Sequence, residues 1–132
     1  MNYDEILSRT KSDGFIAKLG IQITDLAEGY CRGELPLDAS LNNPYGSVHG
    51  GCIFTLADTI GGSAALTRGA KVVTLDSTIH YLRPAIHTEK LIAEAREIKY
   101  GSTVAVYEVS ITNAQGELLS TVLLSFFILA DK

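Results

Sequence analysis

The segment from Gly50 to Arg68, GGCIFTLADTIGGSAALTR, constrains the fold more than any other part of the chain. Its apolar residues, Ile53, Phe54, Leu56, Ala57, Ile60, Ala64, Ala65 and Leu66, spread around a helical wheel and form no single stripe. A helix that is apolar all round is a buried helix. Gly61, Gly62 and Ser63 weaken it, at about 1 kcal/mol per glycine. Small residues there make sense if a sheet or a second helix approaches closely. Gly69 suits the position just past the helix end.

The segments around this helix read as its covering. Residues 3–10 and 13–19 have the pattern of short amphipathic helices. Ile21 to Ala27 and Tyr30 to Leu37 read as a hairpin turning at Glu28-Gly29. Asp38 to Gly46 is polar and loop-like. Lys71 to Ala85, Leu91 to Tyr100, Thr103 to Asn113 and Glu117 to Leu129 alternate with period 2 and are rich in Val, Ile, Thr, Tyr and Phe. The expectation is an α+β domain spanning residues 1–132: a hairpin, one central buried helix, and a four-strand meander that together wrap an antiparallel sheet around the helix.

Composition narrows the function classes. The 132 residues are 46 % hydrophobic and 20 % charged, which is a globular balance, and the formal charge is −4. A nucleic-acid binder needs a surplus of Lys and Arg, so that class is set aside. The first twelve residues carry Asp4, Glu5, Arg9 and Lys11 with no apolar run, unlike a signal peptide. Leu118 to Ala130, broken by Ser120, Thr121 and Ser125, falls short of the about 20 apolar residues of a membrane span. Cys31 and Cys52 form no CxxC pair and no Cys/His cluster of metal spacing. The expectation is a cytoplasmic protein with reduced cysteines, no metal and no cofactor.

Three features carry chemistry. Asp58 sits mid-helix between Ala57 and Thr59, where a carboxylate is costly to bury without a partner. It either sits on a solvated edge, caps a local hydroxyl, or serves as a base or nucleophile. Val48-His49-Gly50-Gly51 opens the same helix, whose first turn has free N–H groups and a partial positive charge. Gly50 and Gly51 let a ligand approach that backbone, making a donor site for a carbonyl that becomes an oxyanion. Asn43, in Asn43-Pro44-Tyr45-Gly46, is either a turn residue or a donor to a bound carbonyl.

Helical geometry then restricts how these parts combine. His49 and Asp58 are nine positions apart, so they face nearly opposite sides and lie about 13 Å apart along the axis. They cannot serve one site within one chain. If both take part, a second copy of the helix must bring its own Asp58 beside the first copy's His49. Two-fold symmetry would give two equivalent sites per dimer.

The run from Asn43 to Gly51, followed by Leu56-Ala57-Asp58, resembles the PaaI-like group of hotdog-fold acyl-CoA thioesterases. That group is marked by N-x-x-G-x-x-H-G-G-x-x-x-x-L-A-D, and this chain matches every fixed position. The later run Thr74 to Ala85 looks like the strand that follows the helix in the family, and the resemblance covers residues 15–130. It implies a sheet wrapped around one helix, with two units joined edge to edge and an active site at the dimer interface; a tetramer of two dimers is common. It implies roles as well. Gly50 N–H polarises the thioester carbonyl, Asn43 and His49 orient the thioester, and Asp58 of the opposite subunit attacks or activates water. Thr74, which read alone is a β-branched strand residue, takes the place of a hydroxyl that holds the water or the carboxylate. Tyr45 and Phe54 are candidates for the acyl pocket, with Gly51 beside them. Arg68, Arg83 and Lys99 are candidates for the coenzyme A phosphates, although each also reads as a solvated surface charge. The implied reaction is hydrolysis of an aryl or medium- to long-chain acyl-CoA. A thioester is activated enough for a preorganised dipole and one carboxylate to suffice. The competing readings are a hotdog enoyl-thioester hydratase or dehydratase and a non-catalytic acyl-CoA-binding module.

Overall fold

A long helix laid across one face of a curved sheet accounts for most of the buried side chains. The computed structural model describes residues 2–12 and 14–129. Two short helices come first, α1 (Tyr3–Arg9) and α2 (Phe15–Leu19). The expected start of the second helix at Asp13 lies outside the described residues. The hairpin follows as β1 (Gln22–Ala27) and β2 (Tyr30–Pro36). A 3-10 turn at Ala39–Leu41 interrupts the expected loop. Then come the central helix α3 (Gly50–Leu66) and four strands: β3 (Val72–Tyr81), β4 (Lys90–Tyr100), β5 (Val104–Asn113) and β6 (Leu118–Ile128).

The six strands form one antiparallel sheet in the order β1-β2-β4-β5-β6-β3. This corrects the expected four-strand meander. Only β4, β5 and β6 follow one another. β2 takes the place beside β4, and β3 pairs with β6 at the far edge. The cause lies in residues 82–89. Pro84 has no N–H to give a ladder. The N–H groups of Leu82 and Arg83 both turn to Leu119 O, at 2.8 and 3.1 Å, and end β3 there. Val48 N–H then holds Ala85 O at 3.1 Å, tying the link to the start of α3. The strand expected to run to Ala85 therefore stops at Tyr81.

α3 touches all six strands. Leu56, Ala57, Ile60, Ala64 and Ala65 are fully buried against inward-facing residues such as Leu35, Ala93, Tyr107, Leu124 and Phe126. Small residues let the helix sit close, as the glycines suggested. A Cβ on Gly61 would lie 2.5 Å from Leu124 Cδ1. A Cβ on Gly33 in β2 would meet Ile60 Cδ1 and lie 2.8 Å from the backbone oxygen of Gln22. Gly62 is roomier, its nearest neighbour being the Phe126 ring at 3.7 Å.

The far end of the helix is anchored by polar bonds. Thr67, the C-cap, accepts from Gly29 N–H at 2.8 Å. Arg68 pairs with Glu28 and, through two nitrogens at 2.8 and 2.6 Å, with Glu97. Glu97 also accepts from the hydroxyl of the fully buried Tyr107 at 2.8 Å. The Arg68 bond holds the Glu97 carboxyl below its ordinary value, and the Tyr107 bond adds to this against the opposing effect of burial.

Two stability predictions follow from these contacts. Gly33→Ala is expected to destabilise by about 1–3 kcal/mol through overpacking, because a backbone oxygen cannot yield. Gly62→Ala is expected to stabilise by up to about 1 kcal/mol through helix propensity. Denaturant melts of both variants check the contrast. Glu97→Ala is expected to cost about 1–3 kcal/mol at neutral pH by leaving the Tyr107 hydroxyl unpaired. A carboxyl with a depressed folded pKa stabilises above its unfolded value of about 4.3, and that contribution fades as the pH falls through the folded value. The gap between wild type and Glu97→Ala, followed by thermal melts, should therefore narrow below about pH 4.

Candidate active site

His49 is the N-cap of α3, and its Nδ1 accepts from Gly51 N–H at 2.8 Å. The ring proton is thereby assigned to Nε2, which has no partner among the described residues and stands on an exposed ring. That bond also occupies the Gly51 donor. Gly50 is the first helical residue, and its N–H finds no acceptor among the described residues. This is the free amide that the first turn of a helix leaves open. Tyr81, the last residue of β3, donates its hydroxyl to Gly50 O at 2.8 Å.

Asn43 is a turn residue first. Its Oδ1 accepts from Tyr45 N–H at 2.9 Å and Ser47 N–H at 3.2 Å, and its Nδ2 donates to Ser47 Oγ at 3.0 Å. An amide Nδ2 carries two hydrogens, so one donor remains. Asn43, Ser47, Gly50, Ile53, Tyr81 and Arg83 border a cavity of about 320 Å³.

The carboxylate lies elsewhere. Asp58 is half-buried, and its Oδ1 accepts from Thr74 Oγ1 at 2.6 Å. Both residues border a second cavity, of about 310 Å³, whose other walls include Arg9, Ile16, Leu66, Val72 and Phe126. No residue lines both cavities. Asn43 and Gly50 thus lie at one cavity and Asp58 and Thr74 at the other, so one chain holds the two halves of the motif in two places; His49, at the start of α3, borders neither cavity and stands nine helical positions before Asp58.

A bulge explains how β3 serves both halves. The register of β3 against β6 shifts between Thr74 and Asp76, leaving Leu75 without a partner. Thr74 pairs with buried Phe126, whereas Asp76 pairs with Ser125 on the outer face. Beyond the bulge Ser77, Ile79 and Tyr81 return to the helix side. Thr74 and Tyr81 are seven residues apart, an odd spacing that strict alternation would put on opposite faces. The extra residue puts both on the side of α3. Tyr81 escaped the sequence reading for that reason; its signal was a tyrosine ending the strand before Pro84.

The remaining candidates are dispersed. Arg83 borders the Gly50 cavity and has no ion pair among the described residues. Arg68 is committed to Glu28 and Glu97 and lies over the Tyr100 ring, so it anchors the helix end and borders neither cavity. Lys99 is exposed beside a bulge in β4 and also borders neither. Tyr45 stands at a loop tip, 93 % exposed. Phe54 packs half-buried against the core and away from both cavities. Cys31 and Cys52 are free and buried, and burial pushes the Cys31 thiol up to about 12. Among the described residues no helix is long and apolar enough to cross a membrane, and no three His, Cys, Asp or Glu side chains group so as to hold a metal.

Comparison with known proteins identifies the family. The profile of the thioesterase superfamily matches residues 45–120, which takes in α3, strands β3 to β5 and the start of β6 and begins just after Asn43 and Pro44. The acyl-coenzyme A thioesterase PaaI of Escherichia coli is 33 % identical over 105 residues, covering 80 % of this chain and 75 % of its own. The structure of the E. coli PaaI protein superposes with a TM-score of 0.89 at 28 % identity, covering 95 % of this chain and 91 % of that one. Human acyl-coenzyme A thioesterase 13 is 35 % identical over 119 residues, covering 87 % of this chain and 85 % of its own. A hypothetical thioesterase protein from Streptococcus pneumoniae, solved with coenzyme A, has a TM-score of 0.81 at 29 % identity and covers 86 % of this chain and 88 % of that one. The chain belongs to the thioesterase superfamily and is a PaaI-like thioester hydrolase of the hotdog fold.

Proposed function

We propose that this chain hydrolyses acyl-CoA thioesters, aryl or medium- to long-chain, to the free acid and coenzyme A, in a site shared between two copies of the chain. The observation that carries the reading is the division of the motif: the free Gly50 N–H and the Asp58–Thr74 pair border separate cavities. The coenzyme A in the Streptococcus pneumoniae relative supports the substrate class. The proposed setting is the cytoplasm, in keeping with two buried free thiols.

The sheet supports the way two copies would meet. β3 is an edge strand, with a partner on the β6 side alone. Thr74, next to Asp58, lies near one end of β3, and Tyr81, next to Gly50, lies at the other. Antiparallel two-fold pairing of β3 with its copy, centred near Ser77 and Thr78, would bring Thr74 and Asp58 beside the partner's Tyr81 and the partner's Gly50. The exposed Val73 and Leu75 of this edge would be covered in the same step.

The geometry supports the following roles. Gly50 N–H, at the positive end of α3, polarises the thioester carbonyl and stabilises the oxyanion. His49 offers Nε2–H, and Asn43 its remaining amide hydrogen, to orient the thioester. Asp58 of the partner subunit is nucleophile or general base. As nucleophile it forms an acyl anhydride and expels the coenzyme A thiolate; as base it takes a proton from the attacking water. Thr74 fixes the carboxylate by its hydroxyl. Arg83, beside the Gly50 cavity, is the proposed contact for a coenzyme A phosphate.

Gly50→Pro isolates the donor. Proline suits the first helical position, and His49, at φ −60° and ψ 134°, already has the extended conformation a residue before proline prefers. The variant is expected to fold and to lose about 10²–10³-fold in kcat. Asp58→Asn is expected to lose at least about 10²-fold with the fold retained. Both are read as thiol release across aryl and aliphatic acyl-CoA substrates; near-normal turnover in either contradicts the role assigned to it.

A further inference from the structure

Gly50 leaves a mechanical problem. It has no side chain, and a glycine's φ and ψ are soft. A side chain there would be crowded, its Cβ 3.1 Å from the Tyr81 ring, which would have to give by a few tenths of an ångström. The peptide that carries the donor is held at its oxygen, His49 O, by Cys52 N–H at 2.9 Å and Ile53 N–H at 3.2 Å, but no side chain on Gly50 itself helps to aim the N–H, and a preorganised donor is what stabilises an oxyanion. The adjoining peptide is held from both ends. Its oxygen, Gly50 O, accepts from the Tyr81 hydroxyl at 2.8 Å. Its hydrogen, on Gly51 N, goes to His49 Nδ1 at 2.8 Å. Bonds at both ends of one amide polarise it in the same sense and strengthen each other.

Packing explains the Tyr81 ring but not its hydroxyl. Tyr81 is 50 % exposed, and phenylalanine would fill the same space. Partial burial pushes the phenol above its ordinary value, so it stays protonated at neutral pH and donates.

We propose that Tyr81 is a positioning residue: its hydroxyl, together with His49 Nδ1, clamps the Gly50–Gly51 peptide and so aims the Gly50 N–H at the thioester oxygen. The proposal rests on the reading that Gly50 N–H polarises the carbonyl. Tyr81 acts through the backbone and needs no contact with substrate. The Leu75 bulge brings it to the helix side of β3, and the absence of a side chain at Gly50 admits its ring.

The test is Tyr81→Phe, alone and combined with Gly50→Pro, with kcat, KM and melting temperature measured for each. Alone it is expected to lower kcat about ten-fold, less than loss of the donor itself, with KM and melting temperature unchanged. In the Gly50→Pro background, where no amide hydrogen remains to be aimed, it is expected to change kcat by less than about two-fold, whereas in Gly50→Ala, which crowds the Tyr81 ring with the same Cβ but keeps the N–H, it is expected to keep its effect. Wild-type kcat in Tyr81→Phe overturns the proposal. So does an undiminished ten-fold effect in the Gly50→Pro background, which would mean that the hydroxyl acts on substrate directly. If Gly50→Pro alone keeps full activity, the donor reading itself fails, and the clamp has nothing to aim.

Discussion

Everything in this molecule depends on how closely α3 sits on the sheet. The helix can lie against six strands because its contact points are small: Gly61 admits Leu124, and Gly33 admits Ile60. Close seating fixes the two ends of the helix against the two ends of β3. Asp58 then reaches Thr74, and Gly50 reaches Tyr81. The far end is locked by Thr67 and Arg68, so the helix cannot slide along the sheet without breaking the bonds of Thr67 to Gly29 and of Arg68 to Glu97, whose carboxylate is in turn held by Tyr107. The side chains that fill the core are thus also the ones that set the spacing of the site.

Much of this was legible in the sequence. All-round apolarity announced a buried helix, and the Gly61-Gly62-Ser63 run announced a close neighbour. Nine positions between His49 and Asp58 sufficed to separate them. What was not legible arose from pairing. Period-2 alternation tells which residues share a face, not which strand lies alongside, and so β3 was placed next to β4 when it pairs with β6. The bulge at Leu75 was equally silent, and it reverses the side on which Tyr81 falls relative to Thr74. Arg68 read as a candidate phosphate contact because Glu28 and Glu97 are distant in sequence and meet it only in the fold.

The proposed chemistry needs little apparatus. A helix start supplies a free amide, the Tyr81 and His49 bonds hold the peptide beside it, and the Thr74 hydroxyl holds the carboxylate. Each half is preorganised within one chain, which is the condition for electrostatic stabilisation without reorganisation during reaction. On the proposed reading the halves are incomplete apart. Assembly of two chains would be a requirement of catalysis as well as of stability, and each dimer would carry two sites of identical make-up.

That requirement is tested most directly by mixing two inactive variants. Gly50→Pro and Asp58→Asn are co-expressed with distinct tags, and the mixed species is assayed against the two parents. In a mixed dimer one site joins the intact Gly50 of one chain to the intact Asp58 of the other, and the second site carries both lesions. Random pairing makes half of the dimers mixed, each with one good site, so the co-expressed pool should recover about a quarter of wild-type turnover. A pool no more active than its parents, with mixed dimers shown to be present, would contradict a shared site and put the whole of catalysis within one chain.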